Sequence, residues 1–404
     1  MRTTNGKPLR VLLVAACPFP CARGGAARVL GQALALQQRG VDVSVVTYDL
    51  AEFESPAGLP VFRIPRVPTH RRTTPGPSLQ KLALLDPLLL LRAARLARRK
   101  PPQVLHGHHV EGAAIALALG RWLRIPVVFD AHTSLSEELP TYAPRWLSPT
   151  LGRAGGRIDA ALTRLAAHTF AVSEALRAEL LSRAGVAAER VSVVPMGLED
   201  GALASSCPPP KPPSGPSTLV YAGGLSGFQR LDLLGRAYEL VRRELPEVRL
   251  RIVSPDPIEA LEVAWPRARS CPGVHWSRPG AVAEGLMELD GADVALCPRT
   301  GRGGFPQKIL NYMARGLPVV ACQGGAGPLR HGESGWVVPD DDVQAFAAGI
   351  LALLRDPALR GRLGATARRA AEGFTWNRVV EPMLGVYRRL ADGTPAARPG
   401  TLDR

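Results

Sequence analysis

At 404 residues the chain is too long for one core of ordinary size, so two domains of about 200 residues each are expected. Apolar residues make up 46% of it and aromatics only 5%, which suits α/β layers packed with Leu, Val and Ala. The net charge of +15 favours polyanionic partners, and the absence of any apolar run of eighteen residues excludes a spanning helix.

The N-terminus MRTTNGKPLR leads straight into an apolar strand, without a signal-peptide core, so a cytoplasmic protein is expected. Six cysteines are scattered without a CxxC pair or a zinc spacing, and read as reduced thiols. From Arg10 a buried run, RVLLVAA, is followed by a helical pattern from about Gly25 to Arg39. Short apolar strands then recur at Val41–Thr47, Val61–Ile64, Gln103–His108, Pro126–His132, Thr169–Ser173 and Val191–Pro195, separated by amphipathic segments. That alternation predicts a parallel, doubly wound sheet.

The stretch CPPPKPPSGPS can extend neither a helix nor a central strand. It divides the chain into a first domain at 1–206, a linker at 207–217 and a second domain at 218–375. Strand runs restart at Thr218–Gly224, Val248–Ser254, Val274–Ser277, Asp293–Arg299 and Pro318–Cys322. A helix at 376–391 is expected to cross back to the first domain, and a Gly-, Pro- and Arg-rich tail at 392–404 to be disordered. Ligands of such sheets sit beyond the carboxyl ends of the strands, so chemistry is sought in a cleft between the domains.

The segment CPRTGRGGFPQKILNYMARGLPVVA carries the strongest signal. It runs from a strand end through a glycine-rich loop into a helix, offering backbone amides and a positive helix end to a diphosphate. Arg299 and Lys308 stand at the two ends of that loop. Gly24 and Gly25, after the first strand, mark a second place where backbone can approach a ligand. HGHH at His106–His109 supplies three imidazoles, but no acid or cysteine stands at a ligand spacing, so no metal is assigned. Asp340, Asp341 and Asp342 precede a helical segment and read as cap and dipole residues.

In these segments, and in DAHTSLSEELP, FAVSEALRAEL, VVPMGLE and YAGGLSGFQRLDLL, the chain resembles the family 4 retaining glycosyltransferases. The resemblance implies two Rossmann-like doubly wound domains facing across a cleft, the GT-B fold. It implies transfer of a sugar from a nucleotide diphosphate sugar to a glycan or lipid-linked acceptor, with no cofactor and no metal. By position it makes His132, Lys308 and Arg299 catalytic, and assigns donor binding to Gly24, Gly25, Arg230, Gly304, Phe305, Pro306 and Asn311. The chain departs from the pattern at Gly303 and Asn311, where many members carry Glu. It also lacks the usual Arg and Lys in the loop Gly223–Arg230, where Arg230 is a candidate substitute.

Two other classes stay open beside this one. A catalytically silent module that binds nucleotide sugar would explain Gly303 and Asn311. A nucleic-acid binder would explain the charge, although the basic stretch from Arg63 to Lys100 offers no aromatic platform for bases, and no nucleic acid is expected as partner. That stretch instead suggests an anionic membrane surface. Asp86-Pro87 reads as a capped helix start, with Leu88, Leu91 and Leu96 turned to apolar neighbours and Arg92, Arg95 and Arg99 on one basic face. A helix packed on the sheet with its arginines in water is one reading, and peripheral, salt-reversible association with the inner membrane face is the other.

Overall fold

The computed structural model describes residues 8–21, 23–71, 76, 78–142, 144, 146–203, 215–280, 282–301 and 304–393. Most of the predicted linker, the predicted tail from residue 394, and Gly303 lie outside them. The chain forms two compact units. The first takes in the described residues of 1–196, 303–305 and 376–404, and the second those of 197–302 and 306–375.

Seven strands build the first unit's sheet: β1 (Arg10–Ala15), β2 (Asp42–Thr47), β3 (Val61–Arg63), β4 (Val104–His108), β5 (Val127–Ala131), β6 (His168–Ala171) and β7 (Val191–Val193). Their order is β3-β2-β1-β4-β5-β6-β7. Every pairing is parallel, with Ala15 beside His108 and His108 beside Asp130. The second unit repeats the plan with β8 (Thr218–Ala222), β9 (Arg249–Val253), β10 (Val274–Ser277), β11 (Val294–Cys297), β12 (Val319–Cys322) and β13 (Trp336–Val338), in the order β10-β9-β8-β11-β12-β13. Its pairings are parallel too.

In both sheets the strand order reverses at the centre, between β1 and β4 and between β8 and β11. Loops leaving the carboxyl ends of those strands diverge there, which opens a crevice for ligand. Continuous Val, Leu and Ala runs fill the central strands because helices cover both faces.

Three helices of the first unit matter below: α1 (Gly24–Gln38), α2 (Asp86–Arg99) and α3 (His109–Leu123). The start of α2 differs from the expected cap. A wider helical turn at Lys81–Leu85 already precedes Asp86, and Leu85 has helical backbone angles. Asp86 accepts the Tyr48 hydroxyl at 2.5 Å instead of capping amides. Leu91 also departs from expectation, since it faces solvent while Leu89, Ala93, Ala94 and Ala97 pack on the core. Arg92 lays its guanidinium 5.7 Å from the Phe62 ring and leaves the exposed basic face to Arg95, Arg98 and Arg99.

Candidate active site

Each unit gathers charged side chains at its central crossover. In the first, β5 carries Asp130 next to its last residue, Ala131, with His132 just beyond, and α1 begins with Gly24 and Gly25. Asp130 is fully buried and gripped by Arg28 of α1, whose Nη2 donates to Oδ1 at 2.8 Å and whose Nε lies 3.1 Å from both oxygens. Gln32 donates to Oδ2 at 2.9 Å, and Arg28 Nη1 reaches the Pro195 carbonyl at 2.9 Å. Burial alone would raise the carboxyl's pKa, but the Arg28 guanidinium holds it well below the usual carboxylate range.

Three imidazoles converge on this carboxylate. His106 Nε2 is 3.5 Å and His108 Nδ1 3.4 Å from Oδ2, and His108 Nδ1 is 3.1 Å from His132 Nε2. Burial, followed by neighbouring histidines, pushes His108 and His132 well below the ordinary imidazole pKa, so both are neutral. An anionic acceptor draws hydrogens onto the nitrogens that face it. His106 then carries its hydrogen on Nε2 and accepts from the Tyr387 hydroxyl at Nδ1, 2.7 Å away. His132 accepts at Nε2, which leaves its own hydrogen on Nδ1.

That Nδ1 is buried and has no hydrogen-bond partner among the described residues. It faces the start of α1, 3.6 Å from where a Gly25 side chain would begin. The same Cβ would lie 2.5 Å from His109 Nε2, so Gly25 is required for backbone and imidazoles to meet. Nothing lies within 4 Å of a Cβ at Gly24.

His106, His108 and Asp130 bring ligand-type atoms within 4.8 Å of one another. The acid that sequence spacing did not find is therefore present, donated by the neighbouring strand. A guanidinium and an amide already take both of its oxygens, and a metal ion would have to displace a buried positive charge.

In the second unit Lys308 is the second residue of the helix Gln307–Ala314 and is only 9% exposed. Its Nζ donates to Gln229 Oε1 at 2.9 Å and lies 3.8 Å from the centre of the Tyr221 ring. No carboxylate pairs with it among the described residues. Burial lowers its pKa from the usual 10.5 to about 7, and the nearby Arg299 pushes the same way. Gly223 makes the room, because a Cβ there, at φ +145°, would stand 2.9 Å from Lys308 Nζ. The family's Arg and Lys are missing from the loop after β8, and the Lys308 amine lies against that loop.

Pro306 occupies the N-cap of this helix without a side-chain cap, leaving the first-turn amides unpaired by side chains. Arg299 follows β11 and stacks its guanidinium 5.4 Å from the Phe228 ring. Asn311 is half-buried on the same helix as Lys308. Gly304 has a left-handed φ of +84°, and Phe305 is half-buried. Arg230 is tied up by acids: Nε and Nη2 bind Asp232 at 2.9 and 3.0 Å, and Nη1 pairs with Asp341. Asp342 caps the next helix through the Ala345 amide, as its sequence position suggested.

Sequence reasoning missed Arg28, Gln32, Asp130 and Tyr387. The available signal was a lone acid inside the apolar strand PVVFDAH and a lone arginine inside GGAARVLG, both too buried by pattern to stay unpaired.

Residues 22–200 match the model of Glycosyltransferase Family 4, and residues 216–356 that of Glycosyl transferases group 1. The D-inositol 3-phosphate glycosyltransferase of Kineococcus radiotolerans is 29% identical, across 96% of this chain and 97% of its own. The sulfoquinovosyl transferase of Arabidopsis thaliana is 25% identical, across 92% of this chain and 71% of its own. Among solved structures, sucrose-phosphate synthase from Thermosynechococcus elongatus superposes with a TM-score of 0.76 at 18% identity, covering 95% of this chain and 99% of that one. The Anabaena protein HepE, in complex with UDP and glucose, gives 0.68 at 18% identity, with 94% and 99% covered. With two doubly wound parallel sheets and these domain matches, the chain belongs to the family 4 glycosyltransferases of the GT-B fold.

Proposed function

We propose that this glycosyltransferase takes its sugar from a nucleotide diphosphate donor whose diphosphate is received by Lys308, Arg299 and the first-turn amides of the helix Gln307–Ala314. The observation that carries the reading is a buried lysine with no carboxylate partner among the described residues, standing in the first turn of a helix without a side-chain cap. Such a group has lost its water and gained no counter-charge, so an anionic ligand supplies what the fold withholds. As the bond from sugar to diphosphate breaks, negative charge grows on the leaving oxygen, and these donors stabilise it without reorganising.

His132 serves the sugar. Its Nδ1 hydrogen, fixed by the His108 bond, is a neutral donor for a hydroxyl near Gly25. Gly24, Gly304 and Phe305 complete the backbone contacts in this reading, with Asn311 near the donor's ribose or sugar. A uridine donor accords with the neighbour crystallised with UDP. The acceptor is a glycan or a lipid-linked group, the site of action is peripheral on the inner membrane face, and the anomeric configuration is retained.

Cationic side chains take the place of a metal ion, so turnover should survive EDTA unchanged. Thermal-shift screening against nucleotide diphosphate sugars, followed by release of nucleotide diphosphate from the best of them, tests the reading. A stabilising donor that is slowly hydrolysed supports it. A donor that is bound and never cleaved, in the presence of candidate acceptors, would instead mark the silent binding module.

A further inference from the structure

The surface of α2 and α3 carries apolar side chains that the core does not use. Leu82, on the helical turn ahead of α2, is 71% exposed, Leu79 just before that turn 85%, and Leu91 on α2 53%. The helix already spends Leu89, Ala93, Ala94 and Ala97 on the first unit's core. Leu91 is therefore not a core residue that narrowly misses burial, but part of a second apolar face.

That face has a polarity along its length. At about 100° per residue, Leu84, Leu91, Arg95 and Arg98 fall within an arc of about 60°. Leucines hold its N-terminal end, and Arg95, Arg98 and Arg99, all exposed, hold its C-terminal end, about 20 Å further along. On α3, Trp122 is 57% exposed, and the Arg98 guanidinium sits 4.2 Å over its ring. Arg121 and Arg124 extend the positive field, and neither helix exposes an acid. Asp86 is engaged by Tyr48, and Lys100 by Asp42.

We infer that this face is a membrane anchor that inserts leucines, and not only a basic patch that is attracted to charge. The occupant that fits is an anionic bilayer. Leu84 and Leu91, 40% and 53% exposed, enter the boundary of the acyl chains while Arg95, Arg98, Arg99 and Arg121 remain among the headgroup phosphates, with Trp122 at the level between them. The inference deepens the peripheral-membrane part of the proposed function and departs from the sequence expectation in one respect. Binding through buried apolar area persists when salt screens the charges.

Flotation with vesicles of phosphatidylglycerol and phosphatidylcholine, compared with vesicles of phosphatidylcholine alone, tests it on the intact chain. The wild type should float with the anionic vesicles at low salt and keep a measurable fraction bound at high salt. The double variant Leu84→Ser, Leu91→Ser should lose the salt-resistant fraction and bind roughly tenfold or more weakly at low salt. Replacing Arg95, Arg98 and Arg99 by Gln should weaken low-salt binding by roughly 100-fold, at about fivefold for each basic residue near an anionic leaflet. Both leucines are exposed, so folding is checked by an unchanged melting profile.

Absence of flotation, or flotation indifferent to the leucine variant, would overturn the inference. So would a wild type that self-associates in sedimentation while its leucine variant is monomeric and neither floats, because the face would then bind a second copy. Flotation requires no turnover. A protein that transfers sugar but ignores vesicles defeats this inference alone, and one that floats without transferring sugar defeats only the catalytic reading.

Discussion

Arg28 and Lys308 occupy like places in the two units and meet opposite electrostatic fates. Each lies on a helix that follows a central strand of its sheet, α1 after β1 and Gln307–Ala314 after β11, and each is buried. Arg28 finds a carboxylate and a carbonyl within 3.1 Å, and the carboxylate is held in turn by the Gln32 amide. Lys308 finds an amide oxygen and an aromatic face. A buried cation neutralised from within the fold holds the fold together, and one left with no counter-charge is prepared for a ligand that brings it. The same strand-to-helix placement thus serves a structural strut in one unit and a proposed diphosphate site in the other.

The comparison breaks first at Asp130. Asp130→Asn keeps the shape but strands the Arg28 charge in the interior, which should cost about 3–5 kcal/mol of stability in urea unfolding. A loss below about 1 kcal/mol would mean that the pair is solvated and the strut unimportant. Lys308→Ala should do the reverse. Turnover falls by a factor equivalent to about 2.7–4 kcal/mol of barrier, while stability holds or rises because a desolvated amine has been removed. Full activity in the folded variant removes the diphosphate role.

The sign of the pH dependence sharpens the same contrast. Lys308 has a pKa of about 7 in the folded chain and an ordinary value of 10.5 when unfolded. Between those values the unfolded chain holds a proton that the folded chain lacks, so stability rises with pH there, and below about 7 the burial penalty is complete. Lys308→Met should flatten that rise in a series of melts across the window. A smaller effect is expected at Tyr387→Phe, which deletes the hydroxyl that fixes His106. About 0.5–1.5 kcal/mol of stability should go with it. Two-state unfolding of the first unit would register that loss.

Both sheets were readable because parallel strands buried on two faces are written as continuous apolar runs, as in RVLLVAA and DVALCP. Shorter or glycine-rich elements were not. Strand β13 has three residues, and the helix Ser148–Leu165 carries GRAGGR where apolar periodicity should be. The turn before Asp86 was missed because Asp-Pro is a strong local start signal, and a wide helical turn overrides it. Of the site, Lys308 and His132 were visible from the ends of strands and helices. Their settings were not, since Asp130 lies 102 residues from Arg28 and Gln229 lies 79 from Lys308. Gly223 read as a lost cation site, whereas its missing side chain is what admits the lysine.

Whether Lys308 receives the donor's diphosphate, as proposed, is open to one calorimetric measurement. A diphosphate beside the amine restores its ordinary affinity for a proton, so at pH 8 binding should take up a proton that the unliganded site lacks. Titrating UDP and GDP into the protein in two buffers of different ionisation enthalpy reads that proton directly. The account predicts uptake approaching one proton at pH 8 for the nucleotide that binds, and none for Lys308→Met, with affinity reduced in the variant. Tight binding with no proton uptake, or equal affinity in the variant, would contradict it.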